Sequence, residues 1–256
     1  MKITVIGAGN MGGAIIRGLA AGKRIPAEDI TAVAVQEKTL NAMRAIGVQA
    51  TNDAGAAAKT ADVIILAVKP WLIEGVSRQI APAVKPGALI GSVAAGIRLG
   101  ELVSYFGGDK PLFRIMPNTA VTVGEGMTFI ASAGATPEQA QEMSSLFEPL
   151  GMVMDVPEKQ FEGCMALASC GIAYALRYVR AAMEGGIELG IPPLMGQTIV
   201  AQTIKGAAEL LLQMGNHPEA EIDKVTTPGG ITIKGLNAME ANGFTHAVIE
   251  GLKASK

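Results

Sequence analysis

Hydrophobic positions divide the chain into two regimes. Up to residue 156, short unbroken apolar runs alternate with stretches of helical periodicity. The runs lie at residues 2–6, 30–35, 63–68, 88–93, 112–116, 127–131 and 151–155. Helical stretches separate most of them, at 11–21, 37–46, 54–60, 70–80, 99–106 and 137–149. Strands that read as continuous apolar runs, rather than alternating ones, are covered on both faces. The pattern predicts an α/β domain over residues 1–156, a doubly wound, mostly parallel sheet with helices on each side.

After Val156 no strand run returns. A long helical stretch covers 159–189, with one strained point at Gly185-Gly186, and further helices are expected at 193–215, 218–224, 229–241 and 244–254. Residues 157–256 therefore read as an all-α domain. Its first stretch is apolar on nearly every side, with Met165, Leu167, Ile172, Leu176, Val179, Met183 and Ile187. A helix apolar all round must be buried all round. The helices of this half cannot easily supply that cover alone. A second copy of the chain is the natural source, so a homo-oligomer is expected: a dimer or an assembly of dimers.

Composition narrows the setting. The chain has 256 residues, 49% of them hydrophobic but only 4% aromatic, so small aliphatic side chains make the core. A net charge of −2 gives no argument for nucleic acid or an anionic membrane. The two cysteines, Cys164 and Cys170, share one helical stretch on different faces, which disfavours a disulfide. No apolar run approaches a membrane span, and the first strand lacks the flanks of a signal peptide. A cytoplasmic protein is expected. No metal-ligand spacing is present, and no metal is expected.

The most specific chemistry follows the first strand. Gly7-Ala-Gly-Asn-Met-Gly12 has the G-x-G-x-x-G spacing between a strand and a helix. The first glycine permits the tight turn, the second lets backbone approach a pyrophosphate, and the third lets the helix pack on the strand. Free N–H groups and the helix dipole then favour the phosphates. This makes the first domain Rossmann-type. Two further segments end at the carboxyl edge of the same sheet, Ala67-Val68-Lys69-Pro70 and Ser92-Val93-Ala94-Ala95-Gly96. Both present small or backbone groups, as a surface against a ribose or nicotinamide should. Ordinary strand–helix turn chemistry is the competing explanation. Lys69 has the chemistry of a catalytic amine, but a solvated or phosphate-side cation is the simpler reading. The second strand ends Val35-Gln36-Glu37-Lys38, with both charge signs present, so the choice between NADH and NADPH stays open.

A second feature comes late, at Val225-Thr-Thr-Pro-Gly-Gly-Ile-Thr-Ile233. Thr227 reads as an N-cap and Pro228 as the first helical residue. Gly229 and Gly230 would then weaken the helix start, unless something must touch its backbone. Bare N–H groups there, with the hydroxyl of Thr232, suit a small carboxylate and a neighbouring polar atom. A capped helix with a flexible first turn is the alternative. The chain's two histidines, His217 and His246, adjoin no motif, so histidine acid–base chemistry is not expected.

Together these motifs resemble the pyrroline-5-carboxylate reductase family. The resemblance runs along the whole chain, through Gly7-Ala-Gly-Asn-Met-Gly12, Leu66-Ala-Val-Lys-Pro70, Ser92-Val-Ala-Ala-Gly96, Arg114-Ile-Met-Pro-Asn118-Thr, Gly124-Glu-Gly-Met127 and above all Val225-Thr-Thr-Pro-Gly-Gly-Ile-Thr232. It implies a Rossmann domain followed by a helical dimerisation domain. It implies hydride transfer from NADPH or NADH to 1-pyrroline-5-carboxylate, giving L-proline. Cofactor contacts would come from Ile6, Gly7, Ala8, Gly9, Asn10, Met11 and Gly12, from Ala67, Val68, Lys69 and Pro70, and from Val93, Ala94 and Ala95. Substrate contacts would come from Glu158, Gly230, Ile231 and Thr232, with Thr232 the catalytic hydroxyl at the ring nitrogen. The chain departs from the family pattern at Ile172, where a proline is usual, after the second strand, and at Ala120. The alternatives are another imine reductase or a β-hydroxyacid dehydrogenase of the same plan, and a non-catalytic dinucleotide sensor.

Overall fold

The computed structural model describes residues 1–22 and 24–255. Contacts divide the chain into two compact units, Met1–Ser169 and Cys170–Lys256.

The first unit is built on eight strands: β1 (Ile3–Ile6), β2 (Ile30–Val33), β3 (Gln49–Thr51), β4 (Val63–Leu66), β5 (Leu89–Ser92), β6 (Leu112–Pro117), β7 (Gly126–Ala133) and β8 (Gly151–Asp155). They form one sheet in the order β3-β2-β1-β4-β5-β6-β7-β8. Every pairing is parallel except β6 with β7. The central strands β1 and β4 are wholly buried. They are short β-branched or Leu segments, which suit a pleat covered on both faces. Helices α1 (Asn10–Ala21), α2 (Glu37–Arg44), α3 (Ala54–Thr60), α4 (Ile73–Ile80), α5 (Leu99–Phe106) and α6 (Pro137–Phe147) provide that cover. Two apolar clusters result. One joins Ile15, Ile16 and Leu19 of α1 to Val5, Ile65 and Phe113. The other joins Ile73, Ile80 and Leu102 to Ile64, Leu66 and Ile90. The predicted fold class is observed, and most element boundaries fall within a few residues of those read from the pattern.

One strand has no signal in the pattern. The segment 49–51 is Gln-Ala-Thr, an edge strand none of whose residues is fully buried. An edge strand needs no apolar run: backbone ladder bonds to β2 hold it, with Ala50 alone packed against the apolar cluster.

The second difference concerns 159–189. It is not one helix. A 3-10 turn at Glu158–Gln160 leads into α7 (Phe161–Cys164), a π-helical segment Met165–Cys170, and α8 (Gly171–Glu188). The expected weak point at Gly185-Gly186 is regular helix; both carbonyls accept from the Leu189 N–H in the closing turn, each at 3.1 Å. The segment before Cys170 packs with the sheet. Phe161 is 1% exposed and lies in the cluster with Ile64 and Ile90. For that reason the compact unit ends at Ser169, beyond the sequence-based boundary at 156/157.

The second unit is helical throughout: α8, α9 (Pro193–Met214), α10 (Pro218–Lys224), α11 (Ile231–Ala241) and α12 (Phe244–Lys253). Within it the Tyr174 hydroxyl donates to the Gly251 carbonyl at 3.2 Å, tying α8 to α12. No residue of α8, α10, α11 or α12 is fully buried. Leu176, Leu189, Leu194 and Leu212 are 61–84% exposed. Of the residues that the sequence pattern assigned to an interface, Leu167, Leu176 and Ile187 are exposed; Leu194 and Leu212 extend the apolar surface onto α9. Cys164 and Cys170 are free thiols.

One ion pair pins the start of the sheet. Asp62, just before β4, accepts from the Lys2 N–H at 2.6 Å and pairs with Lys85. The Lys85 ammonium, then the Lys2 N–H, holds the Asp62 carboxyl below its ordinary value. A carboxyl lowered in the folded state stabilises above its unfolded pKa, and the effect disappears as pH falls through the folded value. Both side chains are about 40% exposed, so solvent screens the pair. Asp62→Asn is therefore expected to cost about 0.5–1 kcal/mol at neutral pH. The difference from the parent should shrink as pH falls below the ordinary carboxylate range and through the lowered folded value. Urea titrations at pH 7 and pH 3 check this.

Candidate functional site

The strand order reverses between β1 and β4, and in doubly wound sheets ligands bind at the carboxyl ends beside such a switch point. Three loops meet there. The Gly7 and Ala8 N–H groups both donate to the Val33 carbonyl of β2, at 2.9 and 3.1 Å. The Ala67 N–H donates to the Ile6 carbonyl at 2.8 Å, and the Val93 N–H to the Leu66 carbonyl at 2.9 Å. The sheet ladder itself thus aligns the predicted cofactor segments 6–12, 67–70 and 93–95 side by side.

The three motif glycines have separate physical reasons. Gly7 has φ 103°, and a Cβ there would lie 2.7 Å from the Ala67 carbonyl carbon. At Gly12 a Cβ would lie 2.1 Å from the Gly7 carbonyl oxygen. These two are required by the fold. Gly9 is different: a Cβ there would meet no protein atom within 4 Å. It is the N-cap of α1, whose first turn has no side-chain cap and no acidic residue. The unpaired N–H groups of that turn face an open cradle of the kind a pyrophosphate fills.

Past β5 the sheet edge opens into an apolar cavity of about 230 Å3. Met11, Val93, Ala94 and Ala95 line it, together with Arg114, Phe161 and Ser169. Lys69, by contrast, is exposed at the start of a 3-10 turn, Pro70–Leu72, and points to no buried partner.

Glu158 has a role that the sequence reading did not contain. Its Oε1 accepts from the Leu99 N–H at 2.8 Å and from Arg114 Nη1 at 3.0 Å. It thereby satisfies the first turn of α5 and neutralises Arg114. The Arg114 guanidinium also lies 4.5 Å from the centre of the Phe161 ring. Its side chain is only 15% exposed. Sequence reasoning quoted Arg114 without assigning it work. The available signal was a lone charge inside the apolar run 112–116.

The remaining predicted residues lie in the second unit, and the expected helix start there needs correction. Thr227 is not the N-cap. The Gly230 N–H donates to the Thr227 carbonyl at 3.0 Å, closing a turn with Pro228 second and Gly229 third. Gly229 has φ 73°, which a helix does not admit and a type II turn requires. Helix α11 therefore begins at Ile231 with Gly230 as N-cap. A Cβ at Gly230 would meet Thr227 Oγ1 at 2.6 Å, so both glycines have local steric reasons. The helix start is nevertheless bare. No side chain caps α11, no acid occupies its first turn, and Ile231 is 87% exposed. Thr232 is the second helical residue, also exposed.

A pyrophosphate cradle at a switch point, with a cavity sized for a flat ring beyond it, defines a nicotinamide-dependent oxidoreductase of Rossmann type. The chain is 33% identical over 255 residues to pyrroline-5-carboxylate reductase 3 of Rattus norvegicus, covering 99% of this chain and 93% of that protein. It belongs to the pyrroline-5-carboxylate reductase family. A model described as pyrroline-5-carboxylate reductase dimerisation matches residues 158–256, and one described as NADP oxidoreductase, coenzyme F420-dependent, matches residues 2–96. Pyrroline-5-carboxylate reductase 1 of Dictyostelium discoideum is 36% identical over 265 residues; this chain is matched over 99% of its length but spans only 48% of that protein. The crystal structure of Plasmodium falciparum pyrroline carboxylate reductase with NADP bound superposes with a TM-score of 0.88 at 26% identity, covering 100% of this chain and 95% of that one.

Proposed function

We infer that this protein is a pyrroline-5-carboxylate reductase that uses NADPH or NADH to reduce 1-pyrroline-5-carboxylate to L-proline. The observation that carries the reading is the open cradle at Gly9 in a chain whose whole length matches this family. Residues 1–156 carry most of the cofactor contacts; residues 157–256 serve chiefly substrate binding and association of copies. Bound NAD(P)H supplies the hydride.

The chain's own residues do the rest. Gly7, Gly9 and Gly12 shape the loop so that the α1 N–H groups hold the pyrophosphate, with Ile6, Ala8, Asn10 and Met11 contributing backbone and contact surface. Ala67, Val68, Lys69 and Pro70 line the sugar side. Val93, Ala94 and Ala95 lie against the ring. The bare first turn of α11, from Gly230 through Ile231, orients the substrate carboxylate. The Thr232 hydroxyl hydrogen-bonds the imine nitrogen, which makes the adjacent carbon a better hydride acceptor. A threonine hydroxyl is a weak acid, so its work is orientation and polarisation, and the proton that completes the amine at the ring nitrogen comes from solvent water. Glu158 enters through its Oε2 oxygen, since Oε1 is engaged by Leu99 and Arg114. Most of the rate then comes from holding two reactants in contact in a dry cleft.

The exposed apolar faces of the second unit pair with other copies, so the working form is a homo-oligomer, at least a dimer. Among the described residues no helix is long and apolar enough to cross a membrane. A cytoplasmic setting is part of this proposal. Family membership leaves the β-hydroxyacid dehydrogenase and sensor readings unfavoured.

The test is NADH and NADPH oxidation, followed by absorbance, with 1-pyrroline-5-carboxylate. Turnover to proline with at least one cofactor is expected. Tight binding of both cofactors with no turnover would overturn the assignment.

A further inference from the structure

We propose that Ser169 hydrogen-bonds the carboxamide of the nicotinamide ring and so fixes which face of the ring is presented. The proposal rests on the dinucleotide reading above. Sheet order gives the cofactor its direction: the ribose-reading position lies at the end of β2, so the nicotinamide half lies on the β4–β5 side of the switch point. The cavity of about 230 Å3 is on that side.

Only two polar side chains line this cavity, Arg114 and Ser169. Arg114 is already engaged by Glu158 and Phe161. The Ser169 hydroxyl makes no hydrogen bond with any described residue. By contrast, Thr198, Thr203 and Thr226 each return their hydroxyl to the carbonyl four residues back. Ser169 lies in the π-helical segment Met165–Cys170, where the widened turn shifts that register. A buried anchor holds the segment in place. Asn118, 6% exposed, donates from Nδ2 to the Ala168 carbonyl at 3.3 Å. Its Oδ1 accepts from the Ala120 and Met127 N–H groups at 3.1 and 3.3 Å. The structure thus fixes an unpartnered hydroxyl at the wall of an otherwise apolar cavity. A ligand that places a polar group there gains a hydrogen bond, and one that does not leaves the hydroxyl unsatisfied. The nicotinamide carboxamide is the polar substituent of a flat ring and fits that description.

The test compares ligands with and without the ring. Parent and Ser169→Ala are titrated by calorimetry with NADH, NADPH and ADP-ribose, which lacks nicotinamide. Ser169→Ala should bind the better of the two reduced cofactors about five- to tenfold more weakly. It should bind ADP-ribose as the parent does, and melt at the same temperature. Equal losses for both ligand types, or no loss for either, would overturn the assignment of Ser169. Failure of the parent to bind any of the three would instead overturn the dinucleotide reading on which it rests.

Discussion

Gly9→Ala is expected to weaken NAD(P)H binding by about 100-fold while moving the melting temperature by no more than about 3 °C. The two halves of that statement have different grounds. The fold leaves open space where the new methyl group would go, since no protein atom lies within 4 Å of it. The backbone there has φ −76°, which other residues adopt. The remaining cost is that alanine is a poorer N-cap than glycine, a matter of about 1 kcal/mol or less. A pyrophosphate seated on the α1 N–H groups, however, needs the same space. Displacing it weakens charge-assisted hydrogen bonds worth about 1.5–3 kcal/mol each, and the loss of one or two gives the stated factor. Gly12→Ala provides the contrast. Its Cβ would lie 2.1 Å from the Gly7 carbonyl oxygen, so it should lower stability by several kcal/mol and lose binding only through the fold. Calorimetric titration and thermal melts of both variants separate the cases. A Gly9→Ala protein that binds cofactor like the parent would remove the pyrophosphate from this loop.

The sequence exposed the parts of this molecule that need a pattern to exist. Strands β1 and β4 had to be apolar on both faces, and α1 had to carry small residues toward the sheet. Those constraints are readable from composition and spacing alone. Strand β3 carries no such constraint: Gln49, Ala50 and Thr51 are held by backbone ladder bonds, which any residue other than proline can make. The π segment was invisible for a related reason. The Asn118 side chain, distant in sequence, bonds its Ala168 carbonyl, and helical periodicity carries no record of that contact. The glycines at 229 and 230 were correctly marked as unusual but were placed inside a helix. Periodicity cannot distinguish a type II turn before a helix from a weak first turn within it. The positive φ of Gly229 decides the matter. Arg114 and Ser169 were missed because their significance lies in the cavity they share, which only the fold assembles.

Thr232→Ala should cut turnover about ten- to a few-hundredfold while leaving cofactor affinity unchanged. Thr232 sits in the first turn of α11, where the residue four positions back is Pro228, outside the helix. Its hydroxyl therefore has no helical carbonyl to return to, and it bonds no described residue. An exposed, unpartnered hydroxyl beside an uncapped helix start contributes little to stability, so the variant should melt like the parent. Its proposed partner, the imine nitrogen, gains from the bond most as hydride arrives and the nitrogen's demand for a donor changes. One hydrogen bond of that kind is worth roughly 1.5–3 kcal/mol in a shielded site, which sets the expected factor. The loss should fall on turnover more than on the Michaelis constant, because the carboxylate is held by backbone N–H groups that the substitution leaves in place. Thr232→Ser keeps the hydroxyl and loses only a methyl group, so it should retain most of the activity. Steady-state kinetics of both variants, with cofactor binding measured separately, decide the point. A loss under about threefold in Thr232→Ala would reduce Thr232 to an ordinary helix-start residue. A Thr232→Ser enzyme as poor as Thr232→Ala would show that the methyl group matters, and polarisation of the imine would then have to come from another donor.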